Sequence, residues 1–138
     1  MIKQDLCPCG SGKLYSECCE KYHKGEFPEN ALALMRSRYS GYAKGLIEYI
    51  IETTHPHNPN FTKEVVQWRL KIQEFCKNTN FEGLDIIEFI DGEKVAYVTF
   101  RAHLSRGKED VSFTERSRFF KIADRWLYVD GALKLLKN

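Results

Sequence analysis

The stretch Lys94-Val-Ala-Tyr-Val-Thr-Phe-Arg-Ala-His-Leu104 alternates with a period of two. One face carries Val95, Tyr97, Thr99, Arg101 and His103; the other carries Ala96, Val98, Phe100, Ala102 and Leu104. Side chains of an extended chain point to opposite faces in turn, so this pattern predicts a half-buried β-strand. The alternation recurs on both sides, and strands are predicted at 82–90, 94–104, 110–122 and 125–130. Asp91-Gly92, the loop Ser105-Arg-Gly-Lys-Glu109 and Ala123-Asp124 supply the connections. Consecutive strands joined by such short segments make an antiparallel meander.

Upstream the period changes. Asn30 is an N-cap for a helix running to about Lys44, with Leu32, Met35, Tyr39, Tyr42 and Leu46 on one stripe. Gly41 and Gly45 weaken its end, and Leu46–Thr53 reads as a second helix or a continuation after a bend. His55-Pro-His-Asn-Pro-Asn60 is a loop, since each proline disfavours helix at the residue before it. Thr62 then caps a third helix to about Asn78, with Val65, Trp68, Ile72, Phe75 and Cys76 facing inward. Three helices followed by four strands predict an α+β domain with the helices on one face of the sheet.

The whole chain has 138 residues, the size of one globular domain. Leu, Ile, Val and Phe supply about a quarter of it, above the ~20% floor for a packed core. No apolar run reaches the ~18 residues that a membrane helix needs. The opening Met-Ile-Lys-Gln-Asp-Leu-Cys7 lacks the apolar stretch of a secretory signal, so a cytoplasmic location is expected. A formal net charge of +2 gives no argument for a general nucleic-acid binder.

Four of the five cysteines fall in the first nineteen residues, as Cys7-Pro-Cys9, eight residues, then Cys18-Cys19. Residues 1–28 hold few aliphatic side chains and cannot bury enough apolar surface to fold unaided. We expect them to form a metal-held module, followed by the α+β domain at 29–138. Thiolates are soft ligands, and four of them close a tetrahedral shell suited to structural zinc, Zn2+, with no position left for water. Gly10-Ser-Gly12 supplies the backbone freedom a tight turn between ligands needs. Two disulfides or a set of redox thiols are the alternative. His23 in place of Cys19 is a second one, because adjacent cysteines are awkward as joint ligands. With zinc and four thiolates the segment is formally −2, which argues against phosphate binding.

The segment Cys7-Pro-Cys-Gly-Ser-Gly-Lys-Leu-Tyr-Ser-Glu-Cys-Cys19 resembles the SEC-C motif of the zinc-binding tail of the preprotein translocase ATPase, in which a His stands where this chain has Cys19. Leu34-Met-Arg-Ser-Arg-Tyr39, His55-Pro56, Glu115-Arg-Ser-Arg-Phe119 and Trp126-Leu-Tyr-Val-Asp-Gly131 resemble the YchJ-like family of uncharacterised bacterial proteins. That resemblance implies an N-terminal SEC-C motif followed by a nuclear transport factor 2-like domain, whose curved sheet and helices enclose a cone-shaped cavity. Members of the family often add a second SEC-C motif after the Tyr-Val-Asp-Gly131 segment, and this chain ends at Asn138 without one.

Candidate residues for that cavity are Arg36, Arg38, His55, Arg101, His103, Glu115, Arg116 and Asp130. Glu115 shares a face with Val111, Phe113, Ser117 and Phe119, so a buried carboxylate acting as a general base is one reading. An ion pair with Arg36 or Arg38 is the stronger one. Arg116 and Arg118 share the opposite face, where they would either clamp an anion or face solvent. Cys76 and the tryptophans and tyrosines read as core. No phosphate loop, nucleophile elbow or metalloprotease signature is present, which argues against the familiar enzyme classes. The function expected is a non-enzymatic adaptor whose zinc module contacts a protein partner, of the secretion or ribosome type by analogy. The alternative is a small-molecule binder or enzyme that uses the cavity around Glu115.

Overall fold

In the computed structural model, which describes residues 5–134, the meander is one antiparallel sheet. Its strands are β1 (Asn80–Ile90), β2 (Val95–Arg106), β3 (Glu109–Asp110), β4 (Phe113–Ile122) and β5 (Arg125–Lys134). The long strands lie in the order β1-β2-β4-β5, and β3 pairs with the end of β2. Four helices precede them: α1 (Glu20–His23), α2 (Ala31–Ala43), α3 (Ile47–Glu52) and α4 (Val65–Asn78).

Two boundaries depart from expectation for local reasons. The stretch 110–122 is broken into two strands. The Asp110 carboxylate accepts from the Ser112 N–H at 2.9 Å, and the Ser112 hydroxyl accepts from the Leu104 N–H at 3.0 Å. Side-chain bonds thereby replace ladder bonds at that point. Helix α4 begins at Val65 rather than beside Thr62, because the Thr62 hydroxyl accepts from the nearby Glu64 N–H and closes a turn. The Asn30 cap forms as read, its side chain accepting from the Ala33 N–H at 2.8 Å.

Ala96, Val98, Phe100, Ala102 and Leu104 of β2 face the core, together with Phe119 and Trp126. Against them packs α2, through Ala31, Leu34, Met35 and Tyr39. The Tyr39 hydroxyl donates to the Gly83 carbonyl and accepts from the Gly83 N–H, at 2.8 and 3.0 Å. It fills the gap where the β1–β2 register shifts between Phe81 and Gly83. A second cluster joins α3 to α4 through Ile50, Trp68 and Ile72.

Helix α2 is covered on more than the single stripe expected for it. Ser37, Arg38, Ser40 and Gly41 are buried as well. Their cover comes from the cysteine-bearing segment and from α3. Because Leu34 is fully buried in the main cluster, Leu34→Ala will lower the unfolding free energy by about 2–5 kcal/mol. Val66→Ala, on the exposed side of α4, will change it by no more than about 0.5 kcal/mol. Urea titration of the two variants measures both.

Candidate metal centre and cavity

A short hairpin shapes the start of the cysteine segment. Leu6 pairs with Leu14 across it, the Cys7 N–H donates to the Lys13 carbonyl at 2.8 Å, and the Tyr15 N–H donates to Asp5. A 3-10 turn at Tyr15–Glu17 and the first residues of α1 then bring back Cys18 and Cys19. The four sulfurs all lie within 4.8 Å of one another, and Cys7, Cys9 and Cys19 are buried. Cys9 and Cys18 are 3.6 Å apart, Cys18 and Cys19 3.9 Å. Thiolates arranged tetrahedrally around an ion at ~2.3 Å are separated by about 3.8 Å, so the cluster fits a bound metal ion. All five cysteines are free thiols, and these separations are far from the ~2.05 Å of a disulfide.

The surroundings suit negative sulfur. The Ser11 hydroxyl is 3.3 Å from the Cys18 sulfur. The Arg36 guanidinium donates to the Cys9 carbonyl at 2.9 Å and stands 4.0 Å from its sulfur. Hydrogen bonds from Cys19 and Cys7 hold the Cys9 thiol far below its ordinary range, and those with Cys7 and Cys9 push Cys19 far above it. Thiols crowded in this way share protons, and a cation that replaces those protons relieves the crowding.

His23 is not part of the sulfur cluster, which corrects the alternative ligand set. Its Nε2–H donates to the Ser37 carbonyl at 2.8 Å, and its Nδ1 accepts from the Tyr15 hydroxyl at 2.7 Å. Burial pushes its pKa down, so the ring stays neutral. The imidazole is a bridge from the cysteine segment to α2. Gly10 adds a close contact with β1: a Cβ there would lie 2.7 Å from the Leu84 carbonyl, and its φ of +80° favours glycine as well.

On the opposite side of α2 lies a cavity of about 160 Å³, walled largely by aromatic rings and bordered by Arg38 and Glu115. The Ser117 and Tyr128 hydroxyls both donate to Oε2 of Glu115. The carboxylate lies flat across Gly131, where a Cβ would come within 2.1 Å of Oε2. Arg38 donates through one nitrogen to the Ile50 carbonyl and to the Thr53 and Thr54 hydroxyls, at 3.1, 2.7 and 3.2 Å. Its guanidinium lies 4.6 Å from the Tyr128 ring centre. Among the described residues Glu115 therefore has no ion pair, contrary to expectation. Arg36 is turned to Cys9 and Arg38 is spent on the end of α3.

The remaining candidates lie outside the cavity. Strand parity sends odd residues of β2 and even residues of β4 to the outer face. Arg101 donates there to Thr114 at 3.1 Å, and His103 pairs with Asp85 at 2.7 Å. Arg116 stacks over Tyr97, while Arg118 makes a two-point pair with Asp130 at 3.0 and 2.6 Å. With Arg118 so occupied, Arg116 and Arg118 form no joint anion clamp. His55 is buried after α3, its N–H donating to the Tyr128 carbonyl and its ring edge-on to Phe120. The cavity's other polar groups, Ser117, Tyr42 and Tyr128, escaped the sequence reading. The one available signal was Ser117 two residues from Glu115 on the same face.

Comparison with known proteins agrees with this geometry. Residues 30–131 match the family described as YchJ, middle NTF2-like domain, and residues 5–21 match the SEC-C motif. The chain belongs to the YchJ family. A UPF0225 protein of Serratia proteamaculans is 41% identical over 132 residues, covering 92% of this chain and 82% of that one. UPF0225 protein plu2503 of Photorhabdus laumondii is 39% identical, with 92% and 80% covered. A solution structure of a SEC-C motif containing protein, RPA3114 from Rhodopseudomonas palustris, superposes with a TM-score of 0.80 at 31% identity, covering 91% of this chain and 96% of that one. A crystal structure of a SEC-C motif containing protein from Psychrobacter arcticus gives 0.77 at 26% identity, with 96% and 84% covered. No helix among the described residues is long and apolar enough to cross a membrane.

Burial, followed by the nearby His57, pushes the His55 pKa below 6.5 in the fold. The unfolded chain then takes up a proton that the native state resists, so this contribution is complete above pH ~6.5 and lost as pH falls. His55→Asn keeps an acceptor for the His57 N–H but does not titrate. Urea titrations at pH 7 and pH 5.5 will show a smaller loss of stability on acidification in the variant than in the parent chain.

Proposed function

We propose that this chain is a non-enzymatic adaptor of the cytoplasm, in which Cys7, Cys9, Cys18 and Cys19 hold a structural Zn2+ ion. The observation that carries the reading is the packing of four free sulfurs within 4.8 Å, three of them buried. Four thiolates select a soft tetrahedral ion over calcium or magnesium and leave no coordination site for water or substrate. A reducing compartment keeps such thiols available. Metal binding of this kind is worth ~10–16 kcal/mol apparent, which replaces the apolar core the segment lacks.

The adaptor surface is the outer side of the module. Leu6, 64% exposed, sits beside the ligand turn, where the metal fixes its position. A protein partner with an apolar contact point fits this surface, whereas the loaded module's negative charge repels nucleic acid. By analogy with the SEC-C motif, the partner belongs to the secretion or ribosome-associated machinery.

Elemental analysis of the purified chain will give one zinc per chain. Cys9→Ser will lose the ion and melt at least roughly 10 °C lower. Leu6→Asp will keep both metal and melting temperature. In capture from a cytoplasmic extract, one protein retained by the parent chain will be lost with both variants. A chain that purifies without zinc under reducing conditions, or identical captured sets for all three, contradicts the proposal.

A further inference from the structure

The adaptor reading leaves the cavity beneath α2 without a role, yet its polar end is only half satisfied. Oε2 of Glu115 receives two hydroxyls, while Oε1 makes no hydrogen bond among the described residues. Arg38 spends one nitrogen on three acceptors, and its Nε and second terminal nitrogen make none among those residues. Neither group counts among the sealed-off orphan atoms of the described residues, and both border the cavity. A residue with a free acceptor and one with a free donor therefore border one space. Tyr128 organises them, with its hydroxyl on Glu115 and its ring face under Arg38. Burial, aided by the Glu115 charge, pushes the Tyr128 phenol up and keeps it a donor.

We propose that this cavity binds a neutral, flat, single-ring molecule carrying an N–H donor next to an acceptor, as a cyclic amide does. Size sets the first limit: about 160 Å³ is close to the ~150 Å³ apolar cavity that admits one benzene molecule in another protein. Shape sets the second. Phe100 and Phe113 meet at 69° and Phe75 and Phe81 at 78°, so the walls offer both ring edges and ring faces to a flat guest. Charge sets the third. One guanidinium and one carboxylate cancel, so an ionic guest would lose hydration with no net counter-charge in return. A neutral donor–acceptor pair meets the free oxygen of Glu115 and the free edge of Arg38 together, and those bonds to charged groups are the stronger kind. Glu115 cannot swing away easily, because two hydroxyls and the bare backbone of Gly131 hold it in place. Tyr42 and Phe75 line both the cavity and the neighbouring groove that includes Asn60 and Phe61.

The full-length chain, with its metal as purified, is titrated with 2-pyridone, toluene, benzoate and benzylamine and followed by NMR and thermal shift. The expected result is saturable binding of 2-pyridone at least about tenfold tighter than the other three, as a hydrogen bond to a charged group allows. Contacts between 2-pyridone protons and the Phe113 and Tyr128 rings will locate it without any variant. Glu115→Ala will weaken 2-pyridone by at least about tenfold and leave toluene equal or tighter, and Ala102→Leu will abolish both by filling the space. Failure of 2-pyridone to saturate at millimolar concentration overturns the proposal. So does benzoate or benzylamine binding as tightly, or ring contacts that place the probe elsewhere.

Discussion

Helix α2 has to be buried on both sides, and much else follows from that constraint. One side supplies Leu34, Met35 and Tyr39 to the sheet core and Arg38 and Tyr42 to the cavity. The other supplies Arg36, Ser37 and Gly41 to the cysteine segment. There the helix is polar or bare, so a close fit takes the place of apolar bulk. The Ser37 carbonyl accepts a hydrogen bond from the His23 ring, and a Cβ at Gly41 would stand 3.7 Å from that ring. The cysteine segment covers this face of α2 together with Tyr49 and Ile50 of α3. The cysteine cluster and the domain are thus packed against each other through α2.

Much of this could be read in the chain itself. The alternation through Lys94–Leu104 identified the core face of β2 correctly, because burial on one side of a sheet imposes a period of two. The α4 stripe of Trp68, Ile72, Phe75 and Cys76 was equally plain, for the equivalent helical reason. The cysteine spacing pointed to a metal cluster because ligand geometry is local. What failed was decided by partners far along the chain or by side chains bonding to backbone. The break at Ser112 and the late start of α4 come from hydroxyls that compete with regular hydrogen bonding. The second buried face of α2 has no periodic signature, since serine and glycine look exposed until His23 and Tyr49 are placed against them.

Glu115 was legible as an inward carboxylate but not in its company. Its partners are two hydroxyls and a glycine, and Gly131 was visible only as part of a motif. Arg38, the nearest cation in expectation, is held by Thr53 and Thr54 at the end of a short helix. Which of several arginines meets a given carboxylate depends on that detail, and periodicity carries none of it. Arg101, His103, Arg116 and Asp130 were expected at the cavity; strand parity separates the first three from it, and the register shift between Arg118 and Phe119 carries Asp130 to the outer face beside Arg118.

In the proposed reading the cysteine module with its ion and α2 are energetically one unit. Amide hydrogen exchange across α2, measured on the full chain before and after removal of the ion with a chelator, tests it most directly. Chelation will speed exchange in residues 6–24 and along α2, above all around Ser37–Gly41, while the β2–β4 ladder keeps its protection. Unchanged protection throughout α2 in the chelated chain, with only the cysteine segment released, would show that the helix does not depend on the module.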